Sequence, residues 1–230
     1  MNPYLDNKLQ EQIVHTTKSA PYSIHYTYAP IDMAPALYLH WHSEMEYLYL
    51  VEGELLFQIE NQTFLLHAKE GIFIPAELLH TAKNTGNTPV SFFAFVFSSS
   101  FLISSFDTTS YNTYILPVIH NNLQFATVLH ESISWQKMIL DFLHQIFFEE
   151  NQNELHIRGL ALLMWDVLYQ NHISKIGVEK SLQTLSAQLA PALSYIQQNY
   201  QQEVSLEELA FSVHLSKGQF CRIFKQLTGM

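Results

Sequence analysis

The hydrophobic period of this chain changes near residue 120, and that change limits its fold more than any other feature. Ahead of it, from residue 20 to about 100, short apolar runs rich in β-branched and aromatic residues alternate with turn signals. ELLFQIE places Leu55, Phe57 and Ile59 on one face of a strand. Glu60-Asn61-Gln62 reads as a turn and TFLLH as the returning strand. Gly71 precedes IFIP, and the cluster Asn84-Thr85-Gly86-Asn87-Thr88-Pro89 comes before VSFFAFVF. Many short strands at this spacing predict a sandwich or barrel. Behind residue 120, Ile133, Met138, Phe142, Leu143, Ile146 and Phe147 recur at helical spacing, and a second helix is expected from Glu154 to about Tyr169. The expected class is α+β.

Composition narrows the setting. At 230 residues, 48% apolar and 14% charged, the chain is long and apolar enough to bury a core. A single cysteine, Cys221, excludes an internal disulfide framework and fits a reducing compartment. The opening MNPYLDNKLQEQ is polar and acidic, unlike a signal peptide. The apolar stretches SFFAFVF and LALLMW fall well short of the roughly 20 residues of a membrane span. A cytoplasmic protein without a membrane partner is expected. The net charge of −10 argues against nucleic acid binding by the surface as a whole. The charge is uneven, however: no acidic residue follows Glu208, whereas Lys217, Arg222 and Lys225 do.

The chemistry-bearing segment is HWHSEMEYLYLVEG, residues 40–53. His40 and His42 share one face of a strand, because side chains alternate with period two. Glu46 has the same parity, and so has Glu44, so a bend between Ser43 and Met45 is needed to single one out. His80, in IPAELLHTAKN, follows a strand that could pair with the first. Three imidazoles and a carboxylate suit zinc, iron, manganese or nickel. The remaining nine of the twelve histidines show no ligand spacing and read as ordinary residues.

His40-x-His42-x₃-Glu46-x₆-Gly53 resembles the first cupin motif, and Pro75-x₄-His80-x₃-Asn84 most of the second. The resemblance covers about residues 20–100. It implies a double-stranded β-helix barrel, with His40, His42, Glu46 and His80 on the four metal-ligand positions. Sensor cupins can also keep such groups to hold an organic ligand without metal, so both occupants stay open. Two positions depart from the pattern: Ala34 and Glu77 stand where glycines are expected. The barrel interior is the expected ligand pocket. His40, His42, Glu46, His80, Tyr38 and Phe57 are its candidate contacts, with Tyr47, Tyr49 and Phe73 as further aromatic candidates by position.

The C-terminal stretch carries two capping boxes, Ser205-x-x-Glu208 and Ser216-x-x-Gln219. Each opens a short helix, the first with Leu206, Leu209 and Ala210 inward, the second with Phe220, Ile223, Phe224 and Leu227. Leu193, Ile196 and Tyr200 fit one face of a preceding helix, and Gly229 can end the last one. Two short capped helices a few residues apart predict a helix-turn-helix. The residues Ser205-Leu206-x-x-Leu209-Ala210, Leu215-Ser216, Phe220-x-Arg222-x-Phe224-Lys225 and Thr228-Gly229-Met230 resemble the first helix-turn-helix of AraC/XylS transcription regulators. With Phe220 and Phe224 inward, Lys217, Gly218, Gln219, Cys221, Arg222 and Lys225 are the expected DNA-facing residues. Arg222 is the base reader of the set, because arginine pairs bidentately with guanine, and the lysines are phosphate contacts.

The expected organisation is a cupin-like ligand-sensing domain over 1–110, a helical dimerisation or cover region over 111–170, a linker over 171–184 and the first helix-turn-helix over 185–230. The resemblance implies a regulator that senses a small molecule, such as a sugar or related metabolite, and contacts DNA as a homodimer. A metal-dependent cupin isomerase or dioxygenase is the alternative. The regulators it resembles carry two helix-turn-helices, so one alone is expected to bind operator DNA weakly.

Overall fold

The computed structural model describes residues 4–6, 9–17, 21–104, 106–120, 126–150, 153–173 and 204–228, together with 189, 191, 192, 195, 196 and 199. The strands follow the period-two pattern: β1 Tyr22–Ala29, β2 Leu37–His40, β3 Met45–Glu52, β4 Glu54–Ile59, β5 Gln62–His67, β6 Gly71–Ile74, β7 His80–Asn84, β8 Val90–Phe97 and β9 Thr127–Leu129. They form two antiparallel sheets, ordered β1-β8-β3-β6-β9 and β2-β7-β4-β5. Between the sheets lie Leu48, Leu50, Leu55, Phe57, Ile59, Ile72, Ile74 and Phe92, the apolar interior of the barrel.

The outer face of the larger sheet is buried as well. Tyr47, Tyr49, Phe73, Phe95 and Phe97 point away from the barrel interior and pack under helices, which leaves β3 buried on both faces. Of the two roles open to Tyr47, Tyr49 and Phe73, packing and ligand contact, they take packing: on a strand covered on both faces, half the aromatics face the cover. The covering helices are α1 Ser99–Leu102, α2 Thr108–Tyr114, α3 Leu116–His120, α4 Ser134–Phe148 and α5 Glu154–Leu168, followed by a π-turn over Tyr169–Ile173. On α4 the buried stripe is Ile139, Leu140, Leu143 and Ile146, while Met138, expected inward, is 47% exposed. No helix of the described residues is long and apolar enough to cross a membrane.

Turn chemistry fixes the barrel ends. Gly53 joins β3 to β4 at φ +90°, and a Cβ there would lie 2.5 Å from Val90 Cγ1 and 2.7 Å from the Pro89 carbonyl oxygen. Glu77, standing where the cupin pattern has glycine, also takes a left-handed backbone, at φ 63°. Such a conformation crowds the Cβ of any residue but glycine. Glu77→Gly is therefore expected to stabilise the fold by about 1 kcal/mol in urea unfolding, less the added freedom of the unfolded chain.

At the C-terminal end, α6 Leu206–Ser212 and α7 Lys217–Thr228 flank a turn in which His214 has φ 55°. Both capping boxes form: Ser205 with Glu208, and Ser216 with Gln219. Leu206 differs from expectation. It is 38% exposed, and Ala210 carries the buried contact of α6. The expected linker from residue 174 on, Leu193, Tyr200, Gly229 and the side chain of Leu227 lie outside the described residues.

The helix-turn-helix packs on the barrel. Leu189, Ala192, Ala210, Val213 and Phe220 form one apolar cluster with Leu79, and Leu9, Leu39, Trp41, Ile223 and Phe224 pack against it. On β2 the alternation puts Leu39 and Trp41 on the opposite side from His40 and His42. The seat of the helix-turn-helix thus lies behind the histidines.

Candidate ligand site and nucleic-acid interface

β2 and β7 pair with His40 directly opposite His80. His42 follows β2, and residues 43 and 44 form the bend that the parity argument required. The bend separates the two glutamates. Glu46 is buried within the barrel, whereas Glu44 accepts a hydrogen bond from Thr16 Oγ1 at 2.8 Å. His40, His42 and His80 are all buried, and their ligand nitrogens lie within 4.8 Å of one another.

The backbone fixes how the rings face. His40 Nδ1 lies 2.8 Å from the Tyr38 carbonyl oxygen, His42 Nδ1 3.0 Å from that of Glu44, and His80 Nδ1 2.8 Å from that of Leu78. A carbonyl only accepts, so each Nδ1 donates, and each Nε2 is turned toward the other rings. Glu46 Oε2 stands 3.2 Å from His42 Nε2 and 3.7 Å from His80 Nε2. His80 Nε2 is buried without a hydrogen-bond partner among the described residues. Burial opposes charge on His42, but the hydrogen bond and charge of Glu46 outweigh it and raise its pKa. Burial holds His80 well below the usual histidine value, helped by the neighbouring His40 and His42. A donor set with backbone-fixed tautomers, a buried carboxylate and an orphaned nitrogen fits a divalent transition metal.

The cavity in front of the cluster has a volume of about 180 Å³. Tyr38, Leu37, Phe92, Ala94 and Val96 line it beside His40, His42 and Glu46. Phe57 is fully buried between the sheets but does not line this cavity. Several lining residues were missed by sequence reasoning, and Glu11, His15 and His25 are the titratable ones among them. His15 Nε2 lies 2.6 Å from Glu11 Oε2, and its Nδ1 lies 3.1 Å from His25 Nε2. Tyr38 donates its hydroxyl to Glu11. Burial alone would raise the Glu11 carboxyl, but the bonds from His15 and Tyr38 and the nearness of His40 bring it down to about 2. The only local sequence signal was Glu11-x₃-His15, too common to single out.

On α7 the geometry agrees with the helical-wheel reading. Phe220 is 3% exposed, while Lys217, Gly218, Gln219, Cys221, Arg222 and Lys225 are all exposed. Lys217 pairs with Glu207 across the turn. Gln219 is occupied in its capping box, so its side chain serves the helix start first.

Fold and site together define a cupin barrel carrying a helix-turn-helix. Residues 24–96 match the cupin domain family, and residues 196–230 match the bacterial regulatory helix-turn-helix proteins of the AraC family. The chain joins a cupin domain to an AraC-type helix-turn-helix, the make-up of a transcription regulator, as both resemblances implied. It is 26% identical over 230 residues to the uncharacterized HTH-type transcriptional regulator YdeC of Bacillus subtilis (strain 168), covering 98% of this chain and 78% of that protein. It is 28% identical over 94 residues to an uncharacterized protein of Methanocaldococcus jannaschii, covering 39% of this chain and 74% of that one. Among solved structures, ToxT from Vibrio cholerae is similar at a TM-score of 0.44 and 10% identity, over 91% of this chain and 96% of that one.

Proposed function

We propose that this chain is a ligand-responsive transcription regulator that senses a small effector at the His40, His42, Glu46 and His80 cluster and contacts DNA through α7. The observation that carries the reading is the placement of the helix-turn-helix on Leu39, Trp41 and Leu79, the chain neighbours of those histidines. A change in the pocket reaches the seat of α7 through single peptide units. The effector is bound by the buried polar groups with Tyr38, and a divalent transition metal held by the four ligands supplies a cationic anchor for it. The cavity is smaller than the roughly 300 Å³ at which drug-sized pockets begin, so the fitting effector is of sugar size or smaller. Regulation needs an effector that binds two arrangements of the seat unequally.

Arg222 is the base-reading residue, and Lys217 and Lys225 meet phosphates. From DNA selected out of a random pool, Arg222→Ala is expected to lose about 1–3 kcal/mol of discrimination at one base pair. Binding by fluorescence polarisation checks this, and equal selectivity of the variant would count against α7 as the reading helix.

The protein acts as a homodimer through α4 and α5. On α5 Leu155 is 79% exposed and Leu163 49%, and a Cβ built at Gly159 meets nothing among the described residues within 4 Å; on α4 Met138 is 47% exposed. That open apolar face on α5 supports a second copy as its cover. The competing reading, a metal-dependent enzyme, draws on the same four ligands but leaves the exposed cationic face of α7 without a role.

A further inference from the structure

Glu11 reaches the site from outside the barrel strands. Its backbone N–H donates to the Trp41 carbonyl at 2.9 Å, and the Trp41 N–H donates to the Leu9 carbonyl at 3.0 Å. Residues 9–11 therefore lie along Trp41, the residue between His40 and His42. This register lays the Glu11 carboxylate, only 6% exposed, over His40, with Oε2 3.5 Å from His40 Nε2. Glu46 attends the other two rings, at 3.2 Å from His42 Nε2 and 3.7 Å from His80 Nε2. Two buried carboxylates thus converge on three imidazoles whose Nε2 atoms face one another. Tyr38 and His15 already bond to Glu11, but two carboxylates around one buried cluster still favour a cation among the rings.

We propose that Glu11, carried by the N-terminal segment, is a further ligand to a divalent transition metal held by His40, His42, Glu46 and His80. The inference rests on the metal reading of the barrel site. It gives metal occupancy a mechanical consequence: a ligated Glu11 pins residues 9–11 against Trp41. Leu9 and Trp41 both pack against the apolar cluster under the helix-turn-helix. Metal binding and the seat of the DNA-reading unit then share two side chains. Carboxylate and imidazole donors suit zinc, iron, manganese and cobalt alike.

The test uses the full chain, stripped by chelator and titrated with cobalt(II), in wild type, Glu11→Gln and His80→Ala. Glu11→Gln is expected to bind cobalt at least roughly 10-fold more weakly, and with the altered visible absorption that marks loss of a ligand rather than of an outer-shell partner; His80→Ala is expected to bind more weakly still. In wild type, cobalt is expected to slow hydrogen exchange at the Glu11 and Trp41 amides, a readout that needs no variant. If Glu11→Gln matches wild type in affinity and absorption while His80→Ala loses binding, Glu11 is no ligand and the metal centre stands without it. Unchanged exchange at those two amides on cobalt binding overturns the inference in the same way. If wild type binds no cobalt, the metal reading falls and the inference falls with it.

Discussion

His80→Ala is expected to reduce the affinity of the chain for zinc or cobalt by more than about 100-fold, beyond what loss of an outer-shell partner costs. His80 is the ring on which the site depends most. It sits opposite His40 across the β2–β7 pair, is 1% exposed, and its Nε2 has no hydrogen-bond partner among the described residues. A buried nitrogen left unpaired loses its hydration without return, so the fold tolerates it best when something else accepts its lone pair. Direct competition of the protein with a metal-sensitive dye checks the prediction. His67→Ala serves as the control, because His67 is 59% exposed and lies outside the cluster. Wild-type affinity in His80→Ala would remove metal from the account and leave the four groups to an organic ligand alone.

Phe220→Ala is expected to cost the helix-turn-helix about 3–5 kcal/mol, the usual loss for truncating a buried phenylalanine. Phe220 is the largest of the buried residues in the cluster it shares with Leu79, Ala192, Ala210 and Val213, and its ring stacks on Phe224 at 5.5 Å. The barrel has its own core between the sheets and a second under the helices, neither of which includes Phe220. The variant is therefore expected to unfold in two steps, with the helix-turn-helix released at lower urea than the barrel. Circular dichroism at helical wavelengths, followed beside the fluorescence of the three tryptophans, separates the steps. A single transition at the wild-type midpoint would show that the seat contributes little.

Much of this architecture was legible in the sequence because it rests on local rules. Alternation placed Leu55, Phe57 and Ile59 on one strand face, and capping residues set the starts of α6 and α7. Parity put His40, His42 and Glu46 in one interior and asked for the bend at residues 43 and 44. The errors lie where tertiary packing decides. Parity does not say which face of a doubly covered strand meets the pocket, so Tyr47, Tyr49 and Phe73 stayed open between packing and ligand contact, and they turn out to pack under the helices. Glu11, His15 and His25 come to the pocket through a segment that pairs with Trp41, and no periodic pattern marks such a segment. The seat of the helix-turn-helix on Leu39, Trp41 and Leu79 is likewise a long-range match between apolar residues that look like ordinary strand positions.

The claim that the barrel governs the DNA-reading helix has one direct test. The affinity of the full chain for a DNA fragment selected from a random pool is measured at one low salt concentration, with the barrel site stripped by chelator and again with it saturated. Coupling through the shared seat predicts two affinities at least about 5-fold apart. Superimposable isotherms in the two states would contradict it.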